Sequence, residues 1–560
     1  MASIIANGLG KLSDKTGIDI GDGSKEDIES GTADLVGELT LAQGRGGEIH
    51  RGLKSRHIQF LAIGGAIGTG LFIGSGSILS LVGPAPLLMG YLTLMIAVWS
   101  IMQTLAEMVV YLPYKGISVP YLVRRFVEPS LAFVSGWTYW YTWSIFIAAE
   151  AVAGTILLEY WTTAVPSAVW IAIYLLLISA LNIFTVEYFG ESEFWFASIK
   201  IITIVGLIIL GFVIFFGGAP THDRLGFRYW ETPGAFIPYM ASGNWGNFLA
   251  YWTATVRAGF AFVTSPELVA QAGGESVAPR YNIPKAARRF IWRLLFFYGF
   301  GALIVGVIVP SNDPMLSSGA SNAASSPFVI GIQRAGIAGL NHVINAAILT
   351  SAWSAGNCFL YSGSRILYGM ALQSDAPKVF GRTTKQGVPY VAVLATWMVG
   401  LLSFLTVSNA GGVVFNWFVN LSTISGFIAW IILSITYLRF RAALQHNDLL
   451  DTRPFVARFQ PYTTWVILVL MILLAITNGF QVFIKGNWSV ADFLAAYITI
   501  PIMLALYLGH KVWHRTPWYI RTDKIDVFTG KQELDEQCAL DNDNLVKPKG
   551  LVQKMWSWIA

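Results

Sequence analysis

A chain of 560 residues in which 54% are hydrophobic and only 12% charged, with positive mean hydropathy, lies outside the balance of a water-soluble protein. Its apolar runs are continuous rather than alternating over roughly ten residues, which excludes a transmembrane β-barrel and leaves a polytopic helical membrane protein. The formal net charge of +5 is ordinary for this length, and no nucleic-acid-binding signature accompanies it.

The first 56 residues are polar, acidic and rich in Gly and Ser, a composition that predicts disorder, and they contain no charged-then-apolar leader ending in small residues. About twelve apolar stretches of roughly 20 or more residues follow, each long enough to cross hydrocarbon as a helix. They cover 58–81, 86–112, 131–158, 166–186, 194–217, 246–272, 288–310, 341–372, 388–408, 412–438, 463–484 and 490–511.

Loops after even-numbered spans carry Lys115, Arg124 and Arg125; Arg280, Lys285, Arg288, Arg289 and Arg293; Lys378, Arg382 and Lys385; and Arg439, Arg441, Arg453 and Arg458. The opposite face carries only Arg224, Arg228, Arg334 and Lys485, so the positive-inside rule predicts both termini in the cytoplasm. The link after the fourth span dissents with Glu187, Glu191 and Glu193, but acidic residues contribute little to orientation.

The first span contains "AIGGAIGTGLFIGSG", residues 62–76. Its Gly64, Gly65, Gly68 and Gly70 allow two readings: a smooth face for close helix packing, or a break at Gly68-Thr69-Gly70. A break would present free N–H groups and a hydroxyl to an anion, and carbonyls near Ala66 to a cation. The sixth span, "YWTATVRAGFAFVTSPELVAQAGGE", favours the second reading. There Pro266 removes a backbone donor in mid-span and disfavours helix at Ser265. Two broken spans five apart, in corresponding halves, mark a transporter site between inverted repeats. The correspondence is positional, with no letter-for-letter repeat.

Ionisable residues at membrane depth are functional candidates by default, and five stand out: Glu107, Glu150, Lys200, Arg257 and Glu267. Glu267 directly follows Pro266 and is placed to gate or to pass a proton; Arg257 is its partner or a substrate-side charge. Glu150 and Glu107 read as helix-to-helix anchors or end salt bridges, with Glu150 kept among the coupling or gating candidates. Lys200 either serves coupling or snorkels to the rim. Cys358 and Cys538 lie in a span and in the polar tail respectively and are expected as free thiols. No nucleophile–base pair, phosphate loop or metal cluster is found, so neither enzymatic activity nor a cofactor is expected.

"RGLKSRHIQFLAIGGAIGTGLFIGSG", "GFAFVTSPELVAQAGGES", "RYNIPKAARRFIWRLLFFY", "SSPFVIGIQRAGI", "INAAILTSAWSAGN" and "FNWFVNLSTISGFIAW" resemble fungal plasma-membrane amino acid permeases, from about residue 51 to about 520. These form the yeast branch of the amino acid, polyamine and organocation superfamily. Within it, "VPSNDPML", "SSPFVIGIQ" and "ILTSAWSAGN" are most similar to proline permeases.

The resemblance implies an all-α fold: a ten-helix core of two inverted five-helix repeats over 57–438, with helices 1 and 6 broken. Two peripheral helices over 439–511 and cytoplasmic tails over 1–56 and 512–560 complete it. It also implies alternating-access symport of an amino acid with protons across the plasma membrane. Gly68, Thr69 and Gly70 match the superfamily's Gly-Ser/Thr-Gly element and would bind the substrate carboxylate. Carbonyls near Ala66 and from Phe260 through Ala261 to Val263 would take the ammonium, and Thr264 would line the pocket. Phe260 stands where relatives carry an aromatic lid, and with Trp353 would form a wall for a proline ring. A lysine at the place of Lys200 lies, in some proton-coupled relatives, against the broken first helix, where sodium-coupled ones hold an ion. Tail lysines Lys11, Lys15 and Lys25 would meet the ubiquitylation machinery, and membrane lipids surround the bundle. A broad-range neutral amino acid or GABA permease, a passive facilitator, or a non-transporting amino acid sensor on the same scaffold are the rival readings.

Overall fold

The computed structural model describes residues 68–112, 119–183, 186–268, 279–317 and 326–529, with 531, 535 and 536 beyond them. Expectations for the N-terminal tail and its lysines, for Ala66, for Lys115 and for Cys538 lie outside the described residues. Among the described residues every membrane segment is helical. In chain order they are α1 Gly70–Val82, α2 Pro84–Tyr111, α3 Pro129–Glu159, α4 Ser167–Ile183, α5 Val186–Phe215 and α6 Gly243–Phe262. After these come α7 Arg280–Ile308, α8 Leu340–Leu372, α9 Tyr390–Val407, α10 Gly411–His446, α11 Tyr462–Ile476 and α12 Val490–His514, bent by 47° after Tyr497.

Seven of these helices are long and apolar enough to cross a membrane on length and composition, and α12 is an eighth if its bent halves make one span. Helices α1, α4 and α11 are shorter and apolar. Proline sets several starts: Pro84 follows Gly83, whose φ of 90° only glycine takes readily, and Pro129 opens α3 where a free N–H would have no partner.

Two helices begin earlier than their apolarity predicts. Helix α5 starts at Val186, so Glu191 and Glu193 belong to it rather than to a link. The helical run into α7 starts at Pro279 and carries Arg280, Lys285, Arg288, Arg289 and Arg293 on one extended amphipathic end. Charged residues continue a helix as readily as apolar ones when the bundle supplies partners.

The packing pairs helices five apart. Helix α1 lies against α6, α2 against α7, α3 against α8 and α4 against α9, as two inverted repeats require. Helix α3 is the most enclosed, held by α8 and α10, while α11 and α12 pack outside, on α10 and α2 and on α10 and α3. Past α12, residues 520–529 run across the bundle end: Ile520 N–H donates to the Val127 carbonyl at 3.0 Å, and Arg125 Nε donates to the Asp526 carbonyl at 2.7 Å. Val527 is fully buried there.

Candidate substrate site

The sixth helix breaks where expected in kind but not in detail. Helix α6 ends at Phe262, Val263 turns extended with ψ of 139°, and Thr264 takes a φ of 76°. A β-branched residue in that region is strained by about 1–3 kcal/mol and persists only where its surroundings enforce it. Residues 265–268 are helical again, so Pro266 does not sit in the break: it opens the second half, where its missing N–H is harmless. Ser265 is accordingly helical, against the expectation from the proline that follows it.

Facing this break, the described part of the first span opens with Gly68 and Thr69 and runs through a wide π-helical turn, Gly70–Gly74, into Ser75–Val82. The two segments touch backbone to backbone. A Cβ on Gly70 would lie 2.6 Å from Ala261 Cα, so only glycine permits this approach. Val263 is pressed in turn onto α10, where a Cβ on Gly426 would lie 2.3 Å from its Cγ2.

The polar groups at the start of the described first span and at the α6 break are already partnered. The buried Thr69 hydroxyl donates to Glu150 Oε1 on α3 at 2.8 Å, and Gly68 sits beside the same oxygen. The Gly70 carbonyl accepts from Tyr91 on α2 at 3.0 Å, and the Ala261 carbonyl accepts from Tyr298 on α7 at 2.9 Å. Repeat-related helices thus hold repeat-related carbonyls. The Ala261 carbonyl, in the last turn of α6, keeps a lone pair for a further donor, whereas the Gly70 carbonyl, at the start of a continuing helix, shares its second with the helix's own N–H groups.

Phe260 closes the pocket from one side, stacked on Phe146 of α3 with centroids 5.1 Å apart and edge-on to Phe415 of α10 at 5.6 Å. Beside it lies a recess lined by Gly70, Ser77, Arg257, Phe260, Phe415 and Asn416, with room for about one water. Trp353, expected on the same wall, stands partly buried on α8 and does not line this recess; Phe415 lines it, and Phe146 backs Phe260 from α3.

Two expectations for the ionisable candidates are corrected, the Glu267–Arg257 pair and the snorkelling alternative for Lys200, while Glu107 agrees with its reading. Glu267 does not pair with Arg257: its Oε1 accepts from Trp430 at 3.0 Å and Tyr139 at 3.2 Å, and Arg257 faces the recess. Lys200 does not snorkel; it is 1% exposed and lies within electrostatic reach of Glu150 and of Glu193. Glu107 is an ion-paired anchor, bound to Arg453 at 2.7 Å.

Residues that the apolar pattern alone does not single out complete the arrangement: Tyr91, Tyr298, Phe146, Phe415 and Glu193. One stripe of α3 offered a signal. Tyr139, Phe146 and Glu150, spaced seven and four apart, share a face and reach Glu267, Phe260 and Thr69 respectively.

Comparison with known proteins identifies the family. The amino acid permease family matches residues 57–519. A proline-specific permease of Emericella nidulans is 54% identical over 91% of this chain and 93% of its own length. A probable proline-specific permease of Schizosaccharomyces pombe is 53% identical over 89% and 90%, and a lysine-specific permease of Saccharomyces cerevisiae 36% identical over 91% and 83%. Among solved structures, a manganese transporter of Eremococcus coleocola superposes with a TM-score of 0.51 at 17% identity, covering 82% of this chain and 93% of that one, a likeness of fold alone. The chain is a member of the amino acid permease family.

Proposed function

We propose that this protein takes up proline across the plasma membrane by alternating access, coupled to protons, with both termini in the cytoplasm. Relatives at 50–54% identity that carry the name of proline-specific permeases support the substrate. The observation that carries the mechanism is the contact of Gly70 with Ala261, which brings two irregular helix segments together under an aromatic lid. Irregular backbone at membrane depth is tolerated only where it is buried or lines a cavity, and here its dipoles surround the space a zwitterion would occupy.

Proline presents a carboxylate, a secondary ammonium and a compact apolar ring. The N–H groups of Gly68, Thr69 and Gly70 and the Arg257 cation at the recess take the carboxylate. Carbonyls of the α6 break take the ammonium, and Phe260 with Phe146 and Phe415 encloses the ring. Thr69 supplies the coupling, because its hydroxyl is held by Glu150. A substrate carboxylate approaching that hydroxyl meets the Glu150 charge at close range, a repulsion of several kcal/mol in a partly desolvated site. A proton on Glu150 removes it, so substrate and proton bind together. Lys200, in electrostatic contact with Glu150, restores the charged form after release.

The ten-helix core over 57–438 would carry this cycle, with the helices over 439–511 peripheral and the tails over 1–56 and 512–560 facing the cytoplasm, exposed to ubiquitylation. The test is uptake of labelled proline by a transport-deficient fungal cell expressing the chain, with and without an uncoupler and with other amino acids as competitors. Accumulation that proline alone competes for strongly, and that the uncoupler abolishes, is expected. Indifference to pH and uncoupler would show a facilitator; binding without accumulation would show a sensor.

A further inference from the structure

Glu193 lies outside the site described above, yet it is 1% exposed, on α5, two turns before Lys200 and on the same face. Its Oε1 accepts the Ser354 hydroxyl of α8 at 2.5 Å. Its Oε2 is buried without a hydrogen-bond partner among the described residues. Around it stand Asn357 and Cys358 of α8 and Asn182 of α4, whose amide donates to Asn357 Oδ1 at 2.8 Å. Of the charged groups on α5 and the elements packed against it, Lys200 is the one within electrostatic reach of Glu193; Glu191 on α5, His342 on α8, Arg365, which covers the Tyr361 ring one turn further along α8, and the basic residues from Arg280 to Arg293 on α7 are the others, and Glu150 of α3 meets Lys200.

Lys200 lies within electrostatic reach of Glu193, two turns earlier on the same face of α5, and of Glu150 on α3. One buried ammonium thus faces two buried carboxylates. With all three ionised the trio holds one uncompensated negative charge away from water, a state the interior opposes strongly. One proton shared among them removes it.

We infer that Glu193 is the inner relay for the transported proton, taking it from Lys200 at its Oε2 and releasing it at the end of the bundle where α5 begins. The inference rests on the proton-coupled reading above. In the transfer an Nζ–H bond breaks and an Oε2–H bond forms; Lys200 is left neutral and recovers its proton from the protonated Glu150 once substrate leaves. No other reactant is needed. The free Oε2 gives the proton a place to land without breaking the Ser354 bond, and the Asn182–Asn357 pair supplies polar groups that tolerate either charge state.

The experiment uses the full chain reconstituted in liposomes with a pH gradient imposed. One coupled proton lets a one-unit gradient hold about a tenfold proline accumulation. Glu193→Gln, which keeps an acceptor for Ser354 but cannot ionise, is expected to lose that tenfold accumulation while exchange of internal for external proline, which needs no net proton movement, continues. Should Glu193→Gln fail to reach the membrane, Glu193→Asp decides: accumulation with a displaced pH profile agrees with a relay, and a parental profile overturns it. Accumulation by Glu193→Gln equal to that of a proton-driven parent overturns the inference and leaves proton coupling standing. A parent that ignores the gradient altogether overturns both.

Discussion

Five buried glutamates among the described residues divide into two kinds by place. At the ends of the bundle, Glu107 accepts from Arg453 at 2.7 Å, from Tyr437 at 3.0 Å and from the Ala457 N–H at 2.8 Å, and Glu128 holds Lys511 and Tyr507. In the middle, Glu150, Glu193 and Glu267 each give one oxygen to neutral donors, while the other is buried with no hydrogen-bond partner among the described residues. All five are equally sheltered from solvent, so burial does not separate them. Their saturation does. A carboxylate bound on both oxygens to a cation and to fixed donors cannot take a proton without losing those bonds, and it acts as a clamp. One with a free oxygen changes charge without rearranging its neighbours, which is what a transport cycle requires of it.

The clamps are expected to dominate stability. Arg453→Met leaves Glu107 buried without its cation, and breaking a buried pair from one side costs about 3–5 kcal/mol. A thermal melt of the purified protein in detergent should show the largest loss of any single change considered. A variant as stable as the parent would mean that Glu107 is already neutral and that the division by saturation is wrong. The loop before α11 should also come free, since the Ala457 N–H shares the same carboxylate.

Gly70→Ala comes next, and it tests whether the middle is soft as well as half-satisfied. The added methyl meets Ala261 Cα at 2.6 Å, a backbone atom that cannot swing aside. Overpacking of this kind costs about 1–3 kcal/mol, and because the strain falls between the α1 π-turn and the α6 break, uptake should drop at least about tenfold. Full uptake by this variant would show that α1 and α6 do not have to meet.

Glu267→Gln is expected to be milder in stability and more specific in effect. The amide oxygen still accepts from Trp430 and Tyr139, so the melt should move by less than about 1.5 kcal/mol while the pH profile of uptake flattens. A loss comparable to that of Arg453→Met would place Glu267 among the clamps instead.

Much of the helix inventory was legible from apolarity and length, because hydrocarbon enforces both. The starts of α5 and α7 were not, since Glu191, Glu193 and the arginines after Pro279 look like loop residues until the neighbouring helices that accommodate them are known. The α6 break was visible through Pro266, yet misplaced, because proline favours the first turn of a new helix as much as it disfavours the middle of an old one. Thr69 was legible as a site residue but not its bond to Glu150, 81 residues away. Tyr91 and Tyr298 were invisible among 22 tyrosines, for their partners lie 21 and 37 residues distant and nothing local marks a phenol that holds a carbonyl.

Those two tyrosines extend the comparison from carboxylates to neutral groups and carry the smallest expected effect. Tyr91→Phe and Tyr298→Phe each remove one hydrogen bond to a carbonyl, in the α1 π-turn and at the α6 break respectively, worth about 0.5–1.5 kcal/mol net. Because the bonded carbonyls lie on repeat-related helices, the two variants should lose stability in similar measure. Their rings are neighbours, with centroids 6.3 Å apart, and both contact Phe262, so the double variant should depart from additivity by at least about 0.5 kcal/mol. Transport separates the roles further. If the phenols only hold the fold, both variants lower the amount of active protein and leave the apparent affinity for proline unchanged. If they aim the carbonyls at the ammonium, affinity falls with expression intact, and a loss confined to Tyr298→Phe would assign the ammonium to the α6 break rather than to α1.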